Sequence, residues 1–96
     1  MYEWDEEKNA RNFAERGLKF EYAQSVFEGP TLTFEDTRFD YGERRFITFG
    51  LLESRMVVIT HTRRGENTRI ISMRKGNKRE QKTYQERIGK TGCDDR

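Results

Sequence analysis

The sequence contains few of the residues that make covalent or metal cross-links. Its 96 residues include one cysteine, one histidine and one proline. One cysteine cannot form a disulfide within the chain, and one histidine with one cysteine cannot complete a zinc site of the usual type. We therefore expect a domain that is held together by packing and that uses no metal or other cofactor.

Long apolar segments are also lacking. No apolar run approaches 18 residues, so we expect no membrane-spanning helix. The first nine residues, MYEWDEEKN, are acidic and contain no apolar core of the kind found in a signal peptide. The sequence therefore predicts a cytoplasmic protein that has no membrane partner.

The composition lies at the border between folded and disordered chains. Apolar residues make up 32% of the sequence, but the formal net charge is only +2, whereas disordered chains usually combine low hydrophobicity with high net charge. The sequence predicts one domain over residues 1–88, with a thin core rich in phenylalanine. Residues 89–96 are predicted to form a flexible C-terminal tail.

The charges are distributed unevenly along the chain. Residues 1–43 carry five basic and eleven acidic side chains, whereas residues 44–96 carry fourteen basic and six acidic ones. The two halves could fold together with their charges interleaved on a solvated surface. Alternatively, the basic half could form a face that binds phosphates, as in nucleic-acid-binding proteins.

The spacing of apolar residues predicts helices towards both ends of the chain and strands between them, and residues 2–4 could form a further short strand. A helix over 6–16, capped by Asp5, should bury a narrow stripe, and a second helix follows at about 20–27. The stripe of the first helix consists of Ala10, Phe13 and Ala14. After Gly29-Pro30, strands are predicted at 31–35, 45–52, 55–63 and 68–74.

Two of these elements carry particularly clear signals. The segment 55–63 is rich in β-branched residues and nearly continuous in apolar character, so it should be the central strand. Asn77 and Glu80 have the spacing of a capping box and should begin a helix over 78–88. Only Tyr84 and Ile88 could anchor that helix to the domain.

Five groups of residues occur in a fixed order from about residue 2 to residue 84. They are Trp4-Asp5-x-x-Lys8 with Asn12, Gly17-Leu18, Phe20, Ala23 and Phe27; Asp40-Tyr41-Gly42-Glu43-x-Arg45-Phe46; Thr62-x-Arg64-Gly65; Arg69-Ile70-Ile71-Ser72-x-Arg74; and Lys78-Arg79-Glu80-x-x-x-Tyr84. In this order the sequence resembles the BrnT toxins. It departs from their usual pattern at Glu15-Arg16, where Lys-His is common, and at Met73 and Gly76, where Ala is common.

The resemblance implies a small α+β domain with a RelE-like fold. Two N-terminal helices would pack on a mainly antiparallel sheet of four to five strands, and a C-terminal helix would follow. It also implies the toxin of a bacterial type II toxin–antitoxin system, a metal-independent endoribonuclease that inhibits translation. Its partner would be a ribbon-helix-helix antitoxin similar to BrnA, through which alone the toxin would reach operator DNA.

Cleavage of RNA without a metal would use the 2′-hydroxyl of the RNA as nucleophile, and guanidinium groups are well suited to the charged phosphate. Strand alternation places Arg64 in phase with Thr60 and Thr62, and Arg74 in phase with Ser72. Arg64 and Arg74 should therefore share one polar sheet face. Arg69 should point to the other face, unless a bulge intervenes, and should serve as an ion-pair partner.

Proton transfer has several candidates, and each also has a structural interpretation. His61 titrates in a suitable range, but its phase with Val57 and Ile59 suggests a packed position. Glu43 is a possible base or a loop carboxylate paired with an arginine. By resemblance to RelE-like nucleases, Tyr84 could contact the scissile phosphate as well as anchor its helix. Arg79, on the same helix, could contact phosphate or face solvent.

The remaining predicted RNA contacts lie around this cluster. They are Arg45, Arg69, Lys75, Lys78, Lys82 and, as a stacking residue in a loop, Tyr41. An alternative interpretation is a catalytically inactive module that binds RNA or the antitoxin. Cleavage products would distinguish the two. Direct DNA binding is disfavoured, because no helix-turn-helix pattern is visible.

Overall fold

The computed structural model describes residues 1–89, which form five strands and three helices. The strands are β1 (Tyr2–Trp4), β2 (Leu32–Asp36), β3 (Arg45–Leu52), β4 (Arg55–Arg64) and β5 (Asn67–Lys75). The helices are α1 (Glu6–Arg16), α2 (Ala23–Glu28) and α3 (Lys78–Tyr84). A short 3₁₀ turn, Phe20–Tyr22, precedes α2, and a wide turn, Gln85–Gly89, continues α3. Nearly all of the predicted tail 89–96 lies outside the described residues.

The strands form one mixed sheet in the order β1-β5-β4-β3-β2. The short β1 runs parallel to β5, and the other neighbouring strands are antiparallel. The prediction that β4 is the central strand is confirmed. Its alternate residues Val57 and Ile59 are fully buried against Phe20, Ala23 and Val26 from the α2 region. We call this side of the sheet the helix face.

The opposite side of the sheet, which we call the open face, carries Val58, Thr60, Thr62 and Arg64 of β4 and the residues in register with them. At one end, Tyr84 of α3 packs with Phe49, Met56 and Val58 to form a second, smaller core. The predicted capping box of α3 is confirmed, because Asn77 and Glu80 each bond the other's backbone N–H. The Tyr84 hydroxyl donates a hydrogen bond to the Pro30 carbonyl at 2.8 Å.

The first helix differs from its prediction. Ala10, Phe13 and Ala14 are exposed, and the buried residues of α1 are Asn9 and Asn12. The Asn12 amide donates to the carbonyl oxygens of Leu18 at 2.9 Å and of Met73 at 3.0 Å. The physical reason is that β1 pairs only with residues 68–70 of β5, so the rest of that edge offers free carbonyls. Amide hydrogen bonds, rather than an apolar stripe, therefore attach α1 to the edge of the sheet.

A bulge in β5 changes which side chains share a face. Thr60 is in register with Ser72, but the next residue of β4, His61, is in register with Ile70. Ile71 is thus the extra residue of a β-bulge, and the alternation of β5 shifts by one there. Arg69 consequently lies on the open face beside Thr62, which is the exception that the prediction made for a bulge. Among the described residues, no helix is long and apolar enough to cross a membrane.

Candidate active site

The open face contains a cavity of about 480 Å³ between β2, α3 and the edge of α1. Three arginines from three different parts of the chain line it: Arg16, Arg38 and Arg74. Thr60 and Ser72 are in register across β4 and β5 and belong to the same lining. The other lining residues are Phe34, Glu35, Asp36, Thr37, Ile47, Phe49, Val58 and Glu80. We call Arg16, Arg38 and Arg74 the cavity arginines.

Arg74 is held in a fixed orientation by the first turn of α3. Its Nη1 and Nη2 each donate to one oxygen of Glu80, both at 2.8 Å. Glu80 Oε1 also accepts from the backbone N–H of Asn77 at 2.9 Å, as part of the capping box. The Arg74 hydrogen bonds lower the pKa of Glu80 and raise that of Arg74. The capping box thus holds the carboxylate that in turn orients the guanidinium.

Arg38 is oriented by a second carboxylate. Its Nε and Nη2 donate to the two oxygens of Asp36 at 2.8 and 2.9 Å. The Asp36 side chain is only 1% exposed and also accepts from the Tyr41 hydroxyl at 3.0 Å. The Arg38 hydrogen bonds hold the pKa of Asp36 far below its usual range. Two of the three cavity arginines are therefore clamped by ionised carboxylates.

Arg16 reaches the cavity from the end of α1. Its Nη1 donates to Asn12 Oδ1 at 3.2 Å and lies 3.4 Å from the Met73 carbonyl oxygen. Neither partner is charged, and within residues 1–89 Arg16 forms no ion pair. Arg16 is therefore the one cavity arginine whose charge no carboxylate neutralises in the described part of the chain.

A second set of arginines, Arg45, Arg64 and Arg69, lies at the far end of the open face. Arg45 Nε donates to Glu43 Oε2 at 3.1 Å, and Arg64 is 3.9 Å from Glu43. Arg69 Nη1 donates to Glu3 Oε2 at 3.0 Å, so the predicted ion-pair role of Arg69 is confirmed. We call these three residues the turn-end arginines, since they lie near the turn at Gly65.

Arg64 and Arg74 share a face, as predicted, but do not meet in one site. Arg74 is in register with Val58, and Val58 and Arg64 are separated by six residues along β4. At the rise of an antiparallel strand this separation is about 20 Å. The structure therefore divides the predicted arginine cluster between the two ends of one face.

His61, the predicted acid–base candidate, lies on the helix face. It is 9% exposed, its Nε2 is 2.7 Å from Thr48 Oγ1, and the rings of Phe27 and Phe46 pack against it. Burial lowers its pKa to about 4. The sheet separates His61 from the cavity, and His61 occupies the packed position that its strand phase suggests.

The remaining predicted site residues are dispersed around the cavity. Tyr84 is buried in the small core, and this burial raises its pKa. Its hydroxyl donates a hydrogen bond to the Pro30 carbonyl oxygen. Four exposed cationic side chains lie at the end of β5 and on α3: Lys75, Lys78, Arg79 and Lys82. None of them forms an ion pair within residues 1–89. Tyr41 lies under the guanidinium of Arg45 at 4.2 Å.

Several cavity residues were not identified from the sequence. Arg38 and Asp36 lie in a segment that the sequence marks only as a loop, and Arg16 stands at a departure from the family pattern. The Asp-x-Arg spacing at 36–38 was a possible signal, since it permits a local bidentate ion pair. Glu80 was recognised only as a helix cap. Its second role depends on the packing of α3 beside β5.

The acidic and basic halves of the sequence fold so that some of their charges pair with each other on the surface. Arg44, Arg45, Arg64 and Arg69 from the basic half each pair with a carboxylate from residues 1–43. The exposed cations of β5 and α3 have no such partner in the described part of the chain. The charges are therefore interleaved on one part of the described surface and purely basic on another. No group of three His, Cys, Asp or Glu side chains within residues 1–89 is placed to hold a metal ion.

Oriented guanidinium groups around a polar cavity are typical of proteins that bind phosphate groups. Residues 4–80 match the family described as "Ribonuclease toxin, BrnT, of type II toxin-antitoxin system". The chain belongs to this BrnT family of ribonuclease toxins. Membership implies RNA as the substrate and a protein antitoxin as the partner. A comparison with curated proteins finds no significant match.

Proposed function

We propose that this toxin is a metal-independent endoribonuclease that binds the scissile phosphate of RNA in the cavity of the open face. The observation that carries the proposal is the convergence of Arg16, Arg38 and Arg74 on one cavity. A guanidinium has five N–H donors, and each carboxylate clamp uses two of those on Arg38 and Arg74. Three donors remain for a phosphate on Arg38 and two on Arg74, whose Nη1 also donates to the Lys75 carbonyl oxygen at 3.3 Å.

In the proposed reaction, the 2′-oxygen of a ribose forms a bond to the adjacent phosphorus as the bond to the 5′-oxygen breaks. The 2′-hydroxyl loses a proton and the 5′-oxygen gains one, which leaves a 2′,3′-cyclic phosphate and a 5′-hydroxyl. Negative charge on the phosphate oxygens increases in the transition state. Guanidinium groups that are already oriented stabilise this charge without reorganisation.

The carboxylates of the cavity act as clamps in this proposal. Asp36 and Glu80 have a lowered pKa, so they stay ionised and hold their arginines but are weak bases. Glu43 is a predicted base, and it lies at the other end of the open face with the turn-end arginines. The proposal therefore assigns most of the rate acceleration to charge stabilisation.

The turn-end arginines and the exposed cations of α3 would bind the RNA on either side of the cavity. About 20 Å of open face is long enough to contact several nucleotides of a single strand. Arg45, Arg64 and Arg69 would act on binding, whereas Arg74 and Arg38 would act on the chemical step. Arg79, Lys75, Lys78 and Lys82 would attract the backbone electrostatically.

We also infer the finer features that the family suggests. The mixed sheet and its helices would be arranged as in RelE-like nucleases, and the toxin would act in the cytoplasm. A ribbon-helix-helix antitoxin similar to BrnA would neutralise it by covering the open face. Operator DNA would be bound only through that antitoxin.

One observation favours the alternative, a module that binds RNA without cleaving it. The only histidine of the chain is buried on the helix face, so the described residues that line the cavity include no imidazole to act as acid or base near neutral pH. Salt-dependent RNA binding without cleavage products would support this alternative.

The test is an RNA cleavage assay in EDTA with end-group analysis, on wild type, Arg74→Ala and Arg55→Ala. Arg55 is an exposed arginine in the β3–β4 hairpin, outside the cavity, so it controls for the loss of one positive charge. We expect cyclic-phosphate ends from wild type and Arg55→Ala, and no cleavage by Arg74→Ala. Equal cleavage by both variants would refute the proposed site.

A further inference from the structure

We propose that the exposed ring of Phe39 forms a platform on which one unpaired base of the RNA stacks, next to the phosphate in the cavity. This inference depends on the proposed function, because the ligand is the same RNA. It adds a base-binding subsite beside the cavity arginines. Stacking of this kind accepts any base, since every base has a flat π-face.

Phe39 is the large apolar side chain that the loop between β2 and β3 presents to solvent. It is 67% exposed, and no core residue packs on it among the contacts of the described chain. Its ring meets the ring of Tyr41 edge to face, with centroids 5.8 Å apart. A ring this exposed contributes little to folding and is accessible to a ligand.

The loop beneath Phe39 is well ordered by hydrogen bonds. Asp36 Oδ1 accepts from the backbone N–H of Arg38 at 3.2 Å, and Asp36 Oδ2 accepts from the hydroxyl of Tyr41. Asp40 Oδ1 accepts from the N–H of Gly42, whose φ of 74° suits glycine. The platform is therefore held in advance, and binding a base on it costs little ordering entropy.

Tyr41 supports the platform but is not itself available for stacking. Arg45 covers its ring at 4.2 Å, its hydroxyl is bonded to Asp36, and Phe39 contacts it edge to face. The sequence predicts Tyr41 as the stacking residue because it lies in this loop. The structure transfers that role to Phe39, two residues earlier.

Arg38 connects the platform to the cavity. Arg38 lines the cavity, and its guanidinium lies over the Phe39 ring at 5.9 Å from the centroid. A phosphate bound by Arg38 thus carries its own nucleoside, or the next one, to within reach of Phe39. Phe34, another exposed ring, borders the same cavity from β2. Positive charge beside exposed aromatic rings favours a nucleic acid over an apolar protein segment as the occupant.

The test measures binding without cleavage. The probes are hexanucleotides with 2′-O-methyl groups, which remove the proposed nucleophile, and each contains one 2-aminopurine or one abasic position. The proteins are wild type, Phe39→Ala, Phe39→Trp and Phe13→Ala. Phe13 is the matched control, because it is also an exposed ring with a cation over it, Lys19 at 4.9 Å, but lies on α1.

We expect Phe39→Ala to raise the Kd of the intact hexanucleotides about tenfold and to abolish the quenching of one 2-aminopurine position. An abasic nucleotide at that position should raise the Kd of wild type by a similar factor and leave the Kd of Phe39→Ala unchanged. Phe39→Trp should retain binding, and Phe13→Ala should match wild type. Because Phe39 is exposed, thermal unfolding should be the same for all four proteins.

Three outcomes would overturn the inference. Unchanged Kd values for Phe39→Ala, with RNA cleavage intact, would refute the platform and leave the proposed function standing. Loss of affinity for the cognate antitoxin without loss of affinity for RNA would assign Phe39 to a protein interface. Failure of wild type both to bind the hexanucleotides and to cleave RNA would refute the platform together with the proposed function.

Discussion

The stability of the domain should decrease sharply in mild acid because of His61. The imidazole is buried between two phenylalanine rings and hydrogen-bonded to Thr48, so its pKa is lowered from 6.5 to about 4. The unfolded chain therefore binds more protons than the folded one between these two pH values. The contribution of neutral His61 is fully present above pH 6.5 and is lost progressively as the pH falls toward 4.

The size of this effect follows from linkage. Between pH 8 and pH 4.5, the shift of the pKa from 6.5 to about 4 removes about 2.5 kcal/mol from the free energy of unfolding. Glutamates with a lowered pKa also begin to lose stabilisation near pH 4.5, so the effect of His61 is the difference between wild type and a variant without it. Ordinary domains are stable by only about 5–15 kcal/mol, so the loss is readily measured.

The assay is urea unfolding at several pH values, for wild type and His61→Gln. Glutamine offers a neutral polar group to Thr48 and cannot gain a proton in this range. The variant should be less stable at pH 8, because it repacks a buried site, but from pH 8 to 4.5 it should lose about 2.5 kcal/mol less than wild type. Parallel pH profiles for the two proteins would show that His61 is not the source of the acid sensitivity.

Two further predictions concern the attachment of helices to the sheet. Asn12→Ala should lower the free energy of unfolding by about 2 kcal/mol, since it removes hydrogen bonds to two buried carbonyls; Glu15→Ala on the same helix is the control, and equal urea midpoints would contradict the role of Asn12. Gly50→Ala would place a Cβ 2.6 Å from Val26 Cγ1 and should cost about 1–3 kcal/mol. Combining it with Val26→Ala should recover part of that loss in a double-mutant cycle, and strict additivity would contradict the clash.

The elements with strong local signals were predictable from the sequence. The β-branched run from Arg55 indicated a central strand, and β4 holds that position because both of its faces are buried. The Asn77–Glu80 spacing indicated a capping box, which is a purely local arrangement. Both signals are contained within a few residues, so no knowledge of the tertiary fold was needed.

Features that depend on a distant partner were not predictable. The docking of α1 through Asn12 requires the free carbonyl of Met73, which is 61 residues away. The bulge at Ile71 shifts the phase of Arg69, and nothing in the local alternation marks it. The helical spacing of apolar residues favoured Ala10 and Phe13 as the buried face of α1. That spacing gives no indication of hydrogen bonds from polar side chains to a strand edge.

The candidate site shows the same division. The alternation of side chains along the strands correctly placed Arg64 and Arg74 on one face. Only the register of β4 with β5 shows that Arg74 lies beside Val58, six residues away from Arg64. Arg16, Arg38 and Arg74 converge because α1, the β2–β3 loop and β5 meet around one cavity. Such a convergence of separate segments is a property of the tertiary fold.

The central claim is that the chemistry occurs at the cavity and not at the turn end. The most direct test is steady-state RNA cleavage by Arg74→Ala and Arg64→Ala, with kcat and KM measured separately for each variant. We predict that Arg74→Ala loses at least 100-fold in kcat, comparable to the removal of one preorganised donor. Arg64→Ala should raise KM and leave kcat near the wild-type value. Loss of kcat in Arg64→Ala, with full activity in Arg74→Ala, would contradict the account.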